Sequence, residues 1–126
     1  MAKPQPEQKP WPTKIRVFDR MTSKERLVLF KHLAAMIEAG VPLEKGLLAI
    51  HEQTRSKSFH RILHSLVKDL DSGETLSSSM KKMPHIFNEL VVNLISVGEK
   101  TGTLSDSLVR INDHFEKAGE LRKKVL

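Results

Sequence analysis

The chain has 126 residues, 39% hydrophobic and 29% charged, a balance that supports one soluble, folded domain and excludes global disorder. There is no cysteine, so disulfides, thiol catalysis and thiolate metal sites are excluded. The net charge of +6 suits nucleic acid, an anionic membrane surface or an acidic protein partner. No run of 18 apolar residues is present, and the N-terminus lacks the apolar core of a signal peptide.

Residues 1–21 read as a flexible leader rich in proline and lysine. Pro4, Pro6, Pro10 and Pro12 block regular helix. Its apolar handles are Trp11, Ile15, Val17 and Phe18, so it is either a tail or a short docking segment for a partner. Five Lys/Arg against two Asp/Glu give it a surplus of three positive charges.

From Thr22 the pattern is helical. Thr22 followed by Glu25 at the third position is a capping box. Leu27, Phe30, Leu33, Ala34 and Ile37 have the spacing of one helix face, and Gly40 stops that helix. Pro42 fits a first helical position, where its missing N–H costs nothing. Leu43, Leu47 and Ile50 give the inner face of a second helix. After the polar break at Arg55–Ser58, a third helix carries Phe59, Ile62, Leu63, Leu66, Val67 and Leu70, and Gly73 ends it. Thr75 caps a short fourth helix with Leu76, Met80 and Met83 inward, terminated by Pro84. Asn88 caps a fifth, with Leu90, Val91, Leu94, Ile95 and Val97. Gly98 and Gly102 bracket its end. The sixth places Leu104, Leu108, Ile111 and Phe115 on one face and reaches Leu126 with no stop signal, which implies a chain cut from something longer.

Three times a glycine is followed by apolar residues at i, i+4 and i+7: Gly40 by Leu43, Leu47 and Ile50; Gly73 by Leu76, Met80 and Met83; Gly102 by Leu104, Leu108 and Ile111. This predicts an all-α fold, a six-helix antiparallel bundle of three helix–glycine–helix hairpins. Internal duplication is an alternative source of the regularity.

Catalytic constellations are absent from the pattern. His60 and His64 have the i, i+4 spacing of metal ligands, but they fall on the polar side of the third helix, which reads as a solvated face. Glu89, Glu99 and Asp106 lie near the glycine-flanked turn, but nothing in the sequence builds the cleft across which a pair of acids would have to be held. The Ser77–Ser79 run has no elbow glycines and no paired histidine, and the Gly98–Gly102 stretch lacks the ending of a phosphate-binding loop. The sequence predicts no enzyme, no cofactor and no metal. Gly40–Val41–Pro42 joins two helices as a helix-turn-helix would, but the second begins with Glu44, Lys45 and Gly46 rather than base-reading side chains. Nucleic acid is therefore not the expected partner; a free-standing helical adaptor is the main alternative.

The stretch 29–50 resembles the opening of the F domain of type II secretion inner-membrane proteins. Phe30, Leu33, Gly40, Val41, Pro42, Leu43, Gly46 and Leu47 fill that pattern, the leucine at 33 one place early. Residues 69–80, with Gly73 and Leu76, resemble the family's next segment. Residues 83–111 resemble its most distinctive block, through Phe87, Gly98, Glu99, Thr101, Gly102 and Leu104; Met83 stands where an aromatic is common. The resemblance covers 22–126. It implies a cytoplasmic domain of an inner-membrane platform that couples an assembly ATPase to pilus or pseudopilus growth and protein secretion. Implied partners are that ATPase, other inner-membrane subunits, further copies of the chain, and pilin or pseudopilin. It also implies a transmembrane helix just beyond Leu126, with Arg122, Lys123 and Lys124 as its basic cytoplasmic flank. The glycines read as turn formers. Glu99 stands open between facing a partner, capping a helix and bonding the local Thr101–Thr103 turn. Exposed Lys and Arg of the first and third helices form either a solvated face or a surface for an acidic partner.

Overall fold

A computed structural model describes the backbone of residues 15–125 and the side chains of residues 15–119. All regular structure among the described residues is helical, in six rods. The first, α1, runs on without a break through Ser23–Leu27, a π-helical stretch Val28–His32, and Leu33–Glu38. It is followed by α2 (Leu43–Gln53), α3 (Lys57–Asp71), α4 (Leu76–Lys81), α5 (Glu89–Thr101) and α6 (Leu104–Val125).

The local signals act as capping chemistry requires. The capping box opens α1: Thr22 Oγ1 accepts from Glu25 N at 3.1 Å, and Glu25 Oε1 accepts from Thr22 N at 2.9 Å. Thr75 caps α4 and Asn88 caps α5. Ser56, which the sequence reading placed in a polar break, caps α3 through Phe59 N at 3.2 Å. Pro42 sits one residue earlier than expected, at the N-cap of α2 with extended ψ.

Gly40, Gly73 and Gly102 have φ of 92°, 93° and 71°. After each of them the next N–H bonds the carbonyl five residues back: Val41 to Met36, Glu74 to Asp69 and Thr103 to Gly98, each at 2.9 Å. This is the closure that a left-handed residue makes possible at a helix end.

Consecutive helices pack on one another, and α6 also packs along α1, closing the circuit. The glycine-joined pairs are not set apart from the other neighbours in this packing. Side-chain contacts give the directions. Ser105 Oγ donates to Glu38 Oε2 at 2.9 Å, and the Asp71 carboxylate at the end of α3 lies close enough to Glu44 of α2 to raise the Glu44 pKa. These contacts place all three glycine turns at one end of the bundle. The α2–α3 junction and the start of α1 lie at the other end, where Lys24 and Glu25 share a cleft with Gln53, Thr54 and Arg55.

The core holds the residues that the periodicity selects, including Phe30, Leu33, Leu47, Ile50, Phe59, Ile62, Leu66, Leu76, Met80, Ile95, Leu108 and Ile111. Leu29 is an addition: it is fully buried although the helix pattern left it off the face. It stands four residues before Leu33, about 40° from it around a 3.6-residue turn, so the buried arc is wider than the stripe that the spacing selects. Leu90 and Val97 are the reverse case, 42% and 58% exposed. The triad Val91, Ile95 and Gly98 points inward on α5, and the residue before each member lies about 100° away around a 3.6-residue turn.

Candidate interaction site

The residues of the most distinctive motif meet where α4, α5 and α6 converge. Gly98 is not a turn residue, contrary to the sequence reading. It lies inside α5, and a Cβ built there would overlap Ser107 Oγ and come within 3.0 Å of Leu104 Cα. Its role is close approach of α6 to α5, which any larger side chain would block. Ser107 is itself buried at this contact.

Glu99 reaches out of α5 to the start of α4. Its carboxylate accepts from Leu76 N at 2.8 Å and Ser77 N at 3.3 Å. Thr75 supplies the rest: its hydroxyl accepts from Ser78 N at 3.1 Å and its carbonyl from Ser79 N at 3.1 Å. The amides of residues 76–79 are thereby all satisfied, and a negative charge sits at the positive end of the α4 dipole. Of the three roles open to Glu99, the geometry is that of a helix cap, on a helix distant in sequence.

Thr101 donates to Val97 O at 2.8 Å and shares a hydrogen bond with Thr103 Oγ1 at 2.7 Å. It steadies the last turn of α5 before Gly102 reverses the chain. Leu104 packs against the core from the first position of α6. Leu76, Gly98, Glu99, Thr101, Gly102 and Leu104 thus form one joint. Gly40 belongs to the same end of the bundle, with Leu43 packed on the core behind Pro42. Phe87 is buried in the α4–α5 connection. It contributes to a groove of about 650 Å³ whose other walls include Ser77, Lys81, Asn88, Glu89 and Asn93. Ser79, from the serine run, is buried and donates to Asp69 Oδ2 at 2.6 Å.

Two features escaped the sequence reading. Residues 15–21, read from the sequence as the end of a flexible leader, dock on α3. Asp19 is 2% exposed and takes the Arg61 guanidinium in a fork, Nε to Oδ2 at 2.8 Å and Nε to Oδ1 at 3.0 Å, with Nη2 on Oδ1 as well. Arg16 N adds a bond to Asp19 Oδ2 at 2.7 Å. The Arg61 bond, reinforced by Arg16 N, outweighs desolvation and lowers the Asp19 pKa from 3.8 to about 2. No local pattern announces this pair, since its members are 42 residues apart.

The histidines are the second. His51 is buried at 9% exposure, and its ring stacks on His60 at 4.5 Å between centroids, with His64 at 6.5 Å. The face of α3 that carries His60 and His64 is therefore partly covered by α2 rather than solvated. Burial, and then the proximity of His60 and His64, pushes the His51 pKa down, while Glu52 opposes the shift. Among the described residues no group of three or more His, Cys, Asp or Glu is arranged to hold a metal ion.

The side chains of Arg122, Lys123 and Lys124 lie outside the described residues, as do residues 1–14 of the leader. Among the described residues, no helix is long and apolar enough to cross a membrane.

Residues 29–126 match the family model described as type II secretion system protein F. The chain is 34% identical to type II secretion system protein F of Vibrio cholerae, over 86% of this chain and 27% of that protein. It is 33% identical to the type IV pilus assembly protein PilC of Myxococcus xanthus, over 86% of this chain and 26% of that protein. Identity to the Thermus thermophilus type IV pilus assembly protein PilC is 34%, over 81% and 25%. The chain spans about a quarter of the length of the curated relatives it matches.

Proposed function

The chain belongs to the type II secretion system protein F family, and from that premise we propose that residues 22–126 are a non-catalytic scaffold domain of a secretion or pilus assembly platform. In this reading the full-length protein sits in the bacterial inner membrane with this domain on the cytoplasmic side. The domain couples a cytoplasmic ATPase to growth of a pilus or pseudopilus. It contacts other inner-membrane subunits and further copies of itself, with pilin or pseudopilin as a further partner.

The observation that carries the scaffold reading is the use of the motif residues. Gly98, Glu99, Thr101 and Gly102 each act on the protein's own helices: one permits an approach, one caps a neighbour, two close a turn. Residues of that kind build a rigid body whose outer faces do the work. The likeness to both secretion and pilus proteins supports the same role. On this reading α6 leads toward the membrane, and Arg122, Lys123 and Lys124 form the positive cytoplasmic flank of a span.

The test is genetic. Deleting the gene in its host is expected to abolish either surface fibres or export of the secreted substrate, with restoration by the full-length gene. A deletion strain with unaltered piliation and unaltered secretion would overturn the reading. Retention of the assembly ATPase by the immobilised domain, lost on charge reversal of Lys31 and Lys68, checks the partner.

A further inference from the structure

α1 and α6 run antiparallel. Ser105, near the start of α6, bonds Glu38 at the end of α1. Ten residues on, the Arg26 guanidinium lies 4.0 Å above the Phe115 ring, which also stacks near Phe30. Past Phe115, α6 continues to Val125, about 15 Å at 1.5 Å per residue, while α1 has only three residues left before it begins. The far end of α6 and the entry to α1 therefore share one end of the bundle, opposite the three glycine turns.

At this end residues 16–19 form a tight turn, closed by Asp19 N on Arg16 O at 3.0 Å. The Arg61 fork holds it from beneath. Ser58 fastens its exit, accepting from Arg20 N at 2.9 Å and donating to Arg20 O at 3.0 Å. The turn presents Val17 at 77% and Phe18 at 90% exposure. A single exposed apolar residue on a loose segment calls for no explanation. Two at the tip of a turn anchored through a buried bidentate ion pair are held out by the fold. Arg16 and Arg20 flank them, and Lys24, Arg55 and Lys57 are exposed on the neighbouring helix ends. Of the acids here, Asp19 is taken by Arg61 and Glu25 by the capping box; Glu52 and, one residue past Phe115 on α6, Glu116 are exposed.

We propose that the Val17–Phe18 turn is a membrane-surface foot, which places its apolar tip among the head groups of an anionic bilayer while Arg16 and Arg20 meet the lipid phosphates. The inference rests on the platform reading for the bilayer that α6 approaches. Charge selects the occupant: an apolar tip in a cationic collar is the arrangement that binds an anionic interface, by hydrophobic burial together with attraction to acidic lipid. A foot at this end, beside α6, would give the domain a second point of contact and fix its tilt.

The test uses the 126-residue chain with sedimenting vesicles of phosphatidylethanolamine and phosphatidylglycerol at 3:1, and with pure phosphatidylcholine. Binding is expected on the anionic vesicles and not on the neutral ones. Phe18→Ser should lower the partition coefficient about tenfold, and Arg16→Gln about fivefold on anionic lipid only. Both residues are exposed, and an unchanged thermal melt verifies the fold. Phe18→Trp in a Trp11→Phe background should blue-shift on binding and be quenched by brominated lipid. Phe18→Ser binding as well as the parent, or an indole emission from the Phe18→Trp variant that does not move, would overturn the proposal. So would indifference to both vesicle types, which would assign the tip to an acidic protein surface instead. Vesicle binding needs no secretion machine, so its failure leaves the platform reading standing. Failure of the platform reading would appear in the deletion strain with vesicle binding intact.

Discussion

The Glu99 carboxylate closes a helix that begins at Leu76, 23 residues earlier in the chain, through a 2.8 Å bond to the Leu76 amide. The bond ties the end of α5 to the start of α4, and α4, only six residues long, has little stability of its own. Glu99→Ala is expected to cost roughly 1–2 kcal/mol, the value of a charged cap. Glu99→Gln, which keeps one acceptor, should lose less. Urea unfolding followed by circular dichroism reads both. If Glu99→Gln left stability intact and abolished pilus or secretion function, the residue would be facing a partner rather than capping.

Gly98 and the turn glycines should respond differently to alanine. At Gly98 the new methyl meets Ser107 and the α6 backbone, so Gly98→Ala should destabilise by roughly 1–3 kcal/mol through overpacking. Ser107→Gly in the same chain should recover part of that loss, because it removes the Ser107 atoms but not Leu104 Cα. A double-mutant cycle measures the recovery. At Gly40 and Gly73 no atom stands in the way. There the penalty is conformational, about 1–2 kcal/mol for a left-handed residue with a Cβ, and no second-site change should relieve it.

The Asp19–Arg61 pair sets the acid limb of stability. The folded pKa of about 2 lies below the ordinary 3.8. Its contribution is therefore complete above pH 3.8 and is lost as pH falls through about 2. The shift corresponds to roughly 2 kcal/mol. Asp19→Ala leaves a buried guanidinium without its partner and should cost roughly 3–5 kcal/mol at pH 7. Denaturant midpoints between pH 2 and 5 should show a flatter acid limb in that variant. It should also free the turn that carries Phe18.

His51 should give a second, milder pH step. Burial and the neighbouring His60 and His64 lower its pKa below 6.5. Its contribution is present above 6.5 and declines as pH falls toward the folded value, because the folded state resists a charge that the unfolded chain accepts. His51→Phe keeps the stacking on His60 and removes that proton. The stability profile between pH 7 and 5 should then flatten, and an unchanged slope would refute the assignment.

The six helices were legible because their signals are local. Thr22–Glu25, Thr75, Asn88 and the glycines at 40, 73 and 102 act within a few residues of themselves. The aliphatic stripes repeat with the helix period, so they select the core without knowledge of the partner. Motif spacing was sufficient to identify the family for the same reason. Leu29, Leu90 and Val97 were misplaced because apolarity does not say where an inward arc ends.

Tertiary structure decided what depends on residues far apart in the chain. Glu99 and Leu76 are 23 residues apart, His51 and His60 belong to different helices, and Asp19 and Arg61 join a supposed leader to the middle of the bundle. Gly98 carries the same letter as Gly102, yet one admits a neighbouring helix and the other a left-handed turn. A sequence records which conformations each residue permits. Which of them a residue uses is set by the atoms that packing brings against it.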